Sequence, residues 1–287
     1  MSPIILALIS LFSWGTGDIF TTSASRKIGS FNASFYGYFF GAILSSLYIP
    51  FALHSLSALT LPMVLLTVIL SVIQLLAFLS YNEALKIGNS ALVGTIAGSF
   101  TSIVVILSLL FLGESLSMQQ GTSILIIFVG LLLATINISS LKKPKTIINR
   151  GTFFALLAMA GWAIYFTFIK LPVKESGFFW PSYITTLVGT VGFLLFGLKR
   201  IKRPHIELRS GFPAVFMSGL LLSIGSFAFN SAIDKGLSSI VAPIAGAYPA
   251  LFALLAYFIF KDPITRQQKI GMVVTLLGII LLGYFSG

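Results

Sequence analysis

The chain of 287 residues is 57% hydrophobic and 9% charged, with a mean hydropathy of +1.02. Soluble domains carry about 25% charged residues, so this composition excludes a water-facing globular fold and indicates an integral membrane protein. The net charge of +11 comes from basic residues that lie between apolar segments, which favours lipid headgroups as partners and not nucleic acid. The absence of cysteine excludes disulfides and thiolate metal sites.

Apolar segments follow one another along the whole chain and predict an all-α protein with ten transmembrane helices. A helix needs about 20 mostly apolar residues to cross a bilayer. The first segment follows Met1 without a basic stretch, which predicts a retained helix and not a cleaved signal peptide. The predicted helices are Pro3–Thr21, Phe31–Leu53, Pro62–Leu85, Ser90–Leu112, Gly121–Ile138, Thr152–Leu171, Phe178–Leu198, Gly211–Ala232, Ser239–Phe260 and Gln268–Phe285.

The two halves of the sequence match at one fixed offset. Trp14 and Trp162 lie 148 positions apart, and Asn82 and Asn230 share that spacing. The register indicates duplication of a five-helix unit, with repeats at 1–138 and 152–287 and a cytoplasmic linker at 139–151. Because each unit has an odd number of helices, the second copy crosses the membrane in the opposite direction. Inverted repeats are typical of secondary transporters.

Lysine and arginine predict the orientation in the cell membrane. Fifteen of these residues follow odd-numbered helices, whereas three, at Lys170, Lys174 and Lys235, lie on the other side. Short cytoplasmic loops carry the excess of basic residues. We therefore expect a multi-pass protein of the cell membrane with both termini extracytoplasmic.

Two related motifs resemble a known family. Residues 111–121 read FLGESLSMQQG, and residues 258–271 read FIFKDPITRQQKIG. Together with Trp14-Gly15, these motifs are similar to the drug/metabolite transporter superfamily, in particular its EamA-type members with two five-helix repeats. The resemblance covers the whole chain and implies a central cavity in which helices five and ten take no part. The second copy departs from the pattern at Ala163 and Lys261.

Asp18 is the most informative charged residue within a predicted helix. A carboxylate that faces lipid costs at least about 2.5–3.5 kcal/mol, so Asp18 needs a cavity, a partner or water. One interpretation is a site for a cationic group or a coupling proton. The other is an ordinary ion pair with a loop cation such as Lys27 or Lys86, and both remain open.

Polar and aromatic side chains on the other helices are candidates for the cavity wall. Amides in a membrane need hydrogen-bond partners, so each must face another helix or the cavity. Interhelical packing is the alternative for every one of them. The candidates for substrate binding are Trp14, Asp18, Gln74, Tyr81, Asn82, Trp162, Tyr165, Tyr183, Asn230 and Tyr248.

The remaining charged candidates have structural interpretations. Glu114 and Asp262 precede the fifth and tenth helices, where an acid complements the helix dipole. Lys170 ends the sixth helix and is expected to extend its ammonium group toward the membrane surface. Glu83 stands three positions before Lys86, a spacing that allows a helical ion pair.

Small residues and prolines in helices four and nine predict close packing and a hinge. Gly94 and Gly98 are four positions apart, and Ala242 and Gly246 repeat that spacing. Pro243 and Pro249 predict a kink in helix nine, whereas helix four has no proline. We therefore expect the half-bundles to rock near Gly98 and Gly246, with local breaks in helix nine that make the two copies mechanically different.

The function expected from these features is transport of a small metabolite by alternating access, as a secondary transporter or facilitator. The solute is expected to be uncharged, zwitterionic or cationic, such as an amino acid or amine, because no basic residue lies deep in a predicted helix. A sugar or nucleoside permease is an alternative, followed by a membrane enzyme or scaffold. His54 and His205 fall on opposite sides, and no catalytic group, metal site or cofactor motif can be assembled. Use of a coupling proton, and a monomeric or homodimeric state, remain open.

Overall fold

The computed structural model describes residues 1–87, 90–135, 150–197, 207–261 and 263–286. Most of the predicted linker, and Asp262, lie outside this described part. The described α-helices are α1 Pro3–Ile28, α2 Ser30–Ser46, α3 Ile49–Ala52, α4 Leu61–Ile87, α5 Ser90–Gly98, α6 Phe100–Phe111, α7 Met118–Thr135, α8 Arg150–Phe168, α9 Lys170–Ser176, α10 Phe179–Gly197, α11 Glu207–Lys235, α12 Ser238–Ala245, α13 Tyr248–Phe260 and α14 Arg266–Tyr284, with a 3₁₀ helix at Leu53–Ala58.

The helices confirm the predicted membrane architecture. Within the described ranges, nine helical spans are long and apolar enough to cross a bilayer, and α2 with the segment after it makes a tenth. That tenth span bends by 58° between Ser46 and Ile49 instead of continuing to Leu53 as predicted. No strand occurs among the described residues. The chain is therefore an all-α integral membrane protein with an inverted repeat of five spans.

Both copies of the repeat have the same local signals at matching positions. Gly29 and Gly177 end α1 and α9 with φ of 81° and 78°, a backbone conformation that glycine adopts without a Cβ clash. Ser117 and Gln120 exchange hydrogen bonds of 2.9 and 3.2 Å at the start of α7. Thr265 and Gln268 form the equivalent capping box before α14. The glutamines of the family-like motifs are therefore helix caps.

The fourth and ninth spans are both interrupted, at positions that the repeat relates. The ninth span breaks between Ala245 and Tyr248, as its prolines predict. The fourth span, which has no proline, is interrupted at one residue, since α5 ends at Gly98 and α6 starts at Phe100. Ser99 lies at this break; its hydroxyl (2.8 Å) and its backbone N–H (3.1 Å) both donate to the Thr95 carbonyl.

The spans do not pack as one repeat beside the other. Bundle A consists of α1 and α2 from the first copy with α11, α12 and α13 from the second. Bundle B is its repeat-related counterpart and consists of α8, α9 and α10 with α4, α5 and α6. The most extensive contacts inside the bundles are α1 on α11 and α4 on α8, and α2–α10 and α6–α12 contacts join the bundles.

This arrangement changes the expected mechanics. Bundle A and bundle B each contain spans from both repeats. This packing therefore does not favour movement of one repeat against the other. Helices α7 and α14 form a separate pair, with Gly130, Gly271 and Gly278 allowing close backbone approach. We call the interface between bundles A and B the cleft, and it is where a solute path can lie.

Candidate functional site at the bundle interface

Trp14 is at the centre of the molecule, where the two bundles meet. Its ring stacks on Phe229 of α11 (centroid distance 5.5 Å) and meets Phe166 of α8 (5.7 Å) and Tyr248 of α13 (5.9 Å) edge to face. Gly225 of α11 makes room for the indole, since a methyl group there would overlap it. Four helices from both repeats therefore converge on this side chain.

Trp162 has the equivalent position on α8. Its ring lies 5.2 Å from Tyr81 of α4 and 5.8 Å from Phe100 of α6. Phe166 joins the two groups, because its ring stacks on Phe100 (5.1 Å) as well as meeting Trp14. The connected rings form what we call the central aromatic cluster: Trp14, Tyr81, Phe100, Trp162, Phe166, Phe229 and Tyr248.

Asp18 lies one helical turn after Trp14 and is half-buried. It follows Trp14 by four positions and so lies on the same face of α1, and Tyr81 and Tyr248 of the central aromatic cluster are within electrostatic range of its carboxylate. It forms no hydrogen bond or ion pair with any described residue. An ion pair with Lys27 is not formed in this structure, and the side chain of Lys86 lies outside what the structure describes, so both interpretations of Asp18 stay predictions.

Three of the predicted cavity residues instead tie helices together. Asn230 is buried and donates to the Ser182 hydroxyl (2.6 Å), which joins α11 of bundle A to α10 of bundle B. The Tyr165 hydroxyl donates to Thr185 (3.3 Å), and Tyr183 shares a 3.0 Å hydrogen bond with Ser46. Satisfied polar groups of this kind give close interhelical contact, and the cavity role of these three side chains stays a prediction.

The other predicted candidates differ in their surroundings. Trp14, Asp18, Tyr81, Trp162 and Tyr248 are brought together in or beside the central aromatic cluster. Gln74 and Asn82 are half-buried on α4, and neither forms a hydrogen bond within the described part of the chain. Trp180 of α10 donates its indole N–H to Ser55 (3.1 Å).

Glu114 closes one end of the cleft. Its Oε1 accepts from the Lys170 ammonium (2.6 Å) and from the Ser238 N–H (2.8 Å), while Oε2 accepts from the N–H (2.8 Å) and hydroxyl (2.6 Å) of Ser239. Lys170 also donates to the Gly236 carbonyl (2.9 Å). These five residues are the Glu114 cluster. Because Glu114 and Lys170 border bundle B and the others belong to bundle A, the cluster joins the bundles.

Two expectations are corrected by this geometry. Glu114 does interact with the positive end of a helix, but that helix is α12 and not the following α7. Lys170 does not extend to the membrane surface, because its side chain is 12% exposed and paired with Glu114. Burial alone would raise the pKa of Glu114, yet the hydrogen bonds from Lys170, Ser239 and Ser238 outweigh it and hold the pKa below its ordinary value.

The interruptions of spans four and nine border a small pocket of about 60 Å³. Its wall includes Gly94, Gly98, Gly246 and Pro249, whereas Pro243 is buried inside α12. A Cβ at Gly246 would overlap Thr101 of α6, so the predicted close packing is present there. At Gly98 a Cβ would meet no described atom within 4 Å, so the structure shows no close packing at that glycine. The pocket holds a few water molecules at most, too few for a metabolite.

Phe100, Phe166 and Phe229 were missed at the sequence level, although the repeat contains the signal that identifies them. At the offset of 148, Phe229 corresponds to Tyr81 and Phe100 to Tyr248. Each of these three phenylalanines therefore corresponds to a residue of the other copy that was already a candidate for the cavity wall. Among the described residues, no three His, Asp or Glu side chains lie together in a way that could hold a metal ion.

The comparison with protein families decides the classification. The model of the EamA-like transporter family matches twice, at residues 1–136 and 149–284. The chain belongs to the EamA-like transporter family. Its two matched segments correspond to the two five-span copies of the fold.

Individual similarities extend over the full length. The chain is 25% identical over 291 residues to an uncharacterized transporter of Archaeoglobus fulgidus, covering 98% of both chains. It is 22% identical over 288 residues to a protein of Rickettsia bellii named S-adenosylmethionine uptake transporter, covering 96% of this chain and 91% of that one. A solved crystal structure superimposes with a TM-score of 0.77 at 16% identity, over 98% of this chain and 97% of that chain, which shows a shared fold.

Proposed function

We propose that this EamA-like transporter is a secondary transporter or facilitator that moves a small uncharged, zwitterionic or cationic solute across the cell membrane by alternating access. The observation that carries the proposal is the central aromatic cluster, which is built from both bundles and borders the half-buried carboxylate of Asp18. Aromatic rings form an apolar wall against which a solute can bind without forming a covalent bond. The absence of lysine and arginine from this cluster disfavours phosphorylated solutes, which need basic groups.

Alternating access is supported by the unequal ends of the cleft. At the Glu114 end, the Glu114 cluster and the Asn230–Ser182 hydrogen bond join bundle A to bundle B. At the other end, the repeat-equivalent Asn82 and Ser34 form no hydrogen bond among the described residues. A cleft closed at one end and released at the other is one of the two states that this mechanism requires.

We further propose that the Glu114 end faces the outside and that both termini are extracytoplasmic. The charge count supports this orientation, because the connections on the opposite side hold fifteen of the 18 basic residues. Single cysteines at Ser139 and Ser286 should react with an impermeant maleimide from opposite sides of intact cells. Reaction of both from the same side contradicts the proposed orientation.

Uptake into liposomes tests the function itself. The purified chain is reconstituted and supplied with radiolabelled amino acids, amines, sugars, nucleosides and a sugar phosphate, with protein-free liposomes as the background. We expect saturable uptake of a solute from one of the first four classes, in the presence or absence of a proton gradient. Robust exchange of the sugar phosphate would contradict the solute class, and a folded protein that moves none of them would contradict the proposed function.

A further inference from the structure

The repeat makes the central aromatic cluster nearly symmetric. Trp14 corresponds to Trp162, Phe229 to Tyr81, and Tyr248 to Phe100, each at the offset of 148. The contacts follow the same symmetry. Trp14 meets Phe229 and Tyr248 at 5.5 and 5.9 Å, and Trp162 meets Tyr81 and Phe100 at 5.2 and 5.8 Å.

One pair breaks the symmetry, because Phe166 corresponds to Asp18. The Phe166 ring lies 5.1 Å from both Phe100 and Phe229 and fills the space between the bundles. The rings that correspond to those two neighbours are Tyr248 and Tyr81. They are also the two groups with which Asp18 interacts electrostatically. Asp18 therefore occupies the position that a phenyl ring fills on the other side.

The exchange of phenylalanine for aspartate changes both the space and the chemistry. A carboxylate is shorter than a phenylmethyl group, so the side chain of Asp18 fills less volume than that of Phe166. Both neighbouring rings on the Asp18 side are tyrosines, whereas both on the Phe166 side are phenylalanines. The half of the cluster that contains Phe166 is therefore apolar and filled by phenyl rings. The other half has a carboxylate, two phenol rings and the indole of Trp162.

From this arrangement we infer that the Asp18 side is a subsite for an organic cation: an ammonium, quaternary ammonium or sulfonium head group. This inference rests on the proposed transport function and names its solute class. A cation is attracted both by the carboxylate and by the faces of tyrosine and tryptophan rings. A neutral solute gives no compensation for a carboxylate held away from water without a partner, whereas a cation supplies the missing counter-charge.

The arrangement also explains why there is one subsite and not two. A second carboxylate at the Phe166 position would create a repeat-related site on the other side of the cluster. Phe166 fills that position instead and contributes to closing the Glu114 end of the cleft. The solute's charged head therefore lies on the Asp18 side, and its apolar remainder can contact the ring of Trp14.

Calorimetric titration of the purified full-length chain tests the subsite. The probes are choline, tetramethylammonium and trimethylsulfonium, together with 3,3-dimethylbutan-1-ol, a neutral molecule of the shape of choline. We expect at least one cation to bind the wild type, with choline favoured over its neutral counterpart on the order of tenfold or more if it is the fitting cation. Asp18→Asn should reduce cation affinity by a similar factor, and Asp18→Phe, which restores the symmetry, should abolish binding.

Glu175→Gln provides the matched control, since it removes an exposed carboxylate of α9 with the same loss of charge. Its affinity should equal that of the wild type, and thermal unfolding should show that all variants are folded. The inference is overturned if no cation in the set binds the wild type, if the neutral alcohol binds as tightly as the best cation, or if folded Asp18→Asn keeps full cation affinity. Liposome uptake that persists in that case would leave the transport function standing and remove only the cation subsite.

Discussion

The two ends of the cleft between bundles A and B have related sequences but different contacts. At the Glu114 end, Asn230 donates to Ser182 at 2.6 Å and joins α11 to α10. At the opposite end, Asn82 and Ser34 occupy the repeat-equivalent positions on α4 and α2, without a hydrogen bond among the described residues. The repeat therefore provides an asparagine and a serine at each end of the cleft. In this structure the pair at the Glu114 end forms the hydrogen bond. If the two pairs form their hydrogen bonds in turn, the two ends of the cleft close alternately, which is what alternating access requires.

The difference between the ends is also one of burial. Every residue of α12, from Ser238 to Ala245, is buried, and its first backbone N–H groups are satisfied by Glu114. Its repeat counterpart α5 is less enclosed, since Gly94, Ile96 and Gly98 are half-buried. The Glu114 end is therefore the more tightly packed of the two, and its opening requires the larger loss of contacts.

The largest effect is expected from covalently locking one end. The chain has no cysteine, so the pair Ser182→Cys and Asn230→Cys introduces the only thiols. Because these side chains are in contact, oxidation should form a disulfide readily and abolish transport, and reduction should restore it.

The pair Ser34→Cys and Asn82→Cys is the matched control at the other end. It should cross-link slowly in the solute-free protein and faster when solute drives cycling between states. Equal rates of cross-linking at the two ends without solute would contradict the inference that the Glu114 end is closed and the opposite end is open.

Glu114→Gln should have the next largest effect, because it leaves the Lys170 ammonium without its counter-charge. Breaking a buried ion pair from one side costs on the order of 3–5 kcal/mol. We expect a lower melting temperature and more frequent opening of the Glu114 end. The double variant Glu114→Gln, Lys170→Met should be less destabilised than the sum of the single variants, since it leaves no unpaired charge. Additive losses would show that the pair does not act as a unit.

The same residue predicts a dependence of stability on pH. The pKa of Glu114 is lowered in the folded protein, so the carboxylate stabilises the fold fully above the ordinary pKa of glutamate. That contribution is lost as the pH falls through the lowered pKa. The difference in melting temperature between wild type and Glu114→Gln should therefore shrink under acidic conditions. A constant difference down to acidic pH would mean that ionisation of Glu114 is not the source of stability.

A smaller effect is expected from enlarging the glycines at the two helix breaks. Gly246→Leu must displace Thr101 of α6, and overpacking of this kind costs about 1–3 kcal/mol. Gly98→Leu, which borders the 60 Å³ pocket, should cost less because no described atom obstructs its Cβ. We expect Gly246→Leu alone to slow transport markedly, measured per folded molecule. Equal slowing by both variants would support a role for both glycines in the hinge, as the matched small-residue spacing predicted.

The sequence predicted the elements that depend on local pattern and on the repeat. Span number, the inverted copies and the importance of Trp14 and Trp162 follow from hydropathy and from the offset of 148. The break at Ser99 was missed because no proline marks it, and a hydroxyl that bonds to the preceding turn, as Ser99 does, also occurs inside continuous helices, for example at Thr186 of α10. The partner of Glu114 was missed because Ser239 lies 125 positions away and is brought close by packing alone.

The smallest predicted effect isolates the comparison most cleanly. Ser182→Ala removes the acceptor of the Asn230 amide and leaves a buried donor unsatisfied, which should cost about 1–2 kcal/mol. Ser34→Ala removes the equivalent hydroxyl at the other end, where no hydrogen bond is lost, and should leave stability within about 0.5 kcal/mol of the parent. The two substitutions are chemically identical and repeat-related, so helix propensity and side-chain size largely cancel between them.

If transport alternates between the ends, Ser34→Ala should instead weaken the state in which the Asn82 end is closed and shift the balance toward the structure described. Cysteine accessibility at each end reports that balance. Equal destabilisation by both variants, with no change in accessibility, would mean that the unequal ends are not two states of one cycle.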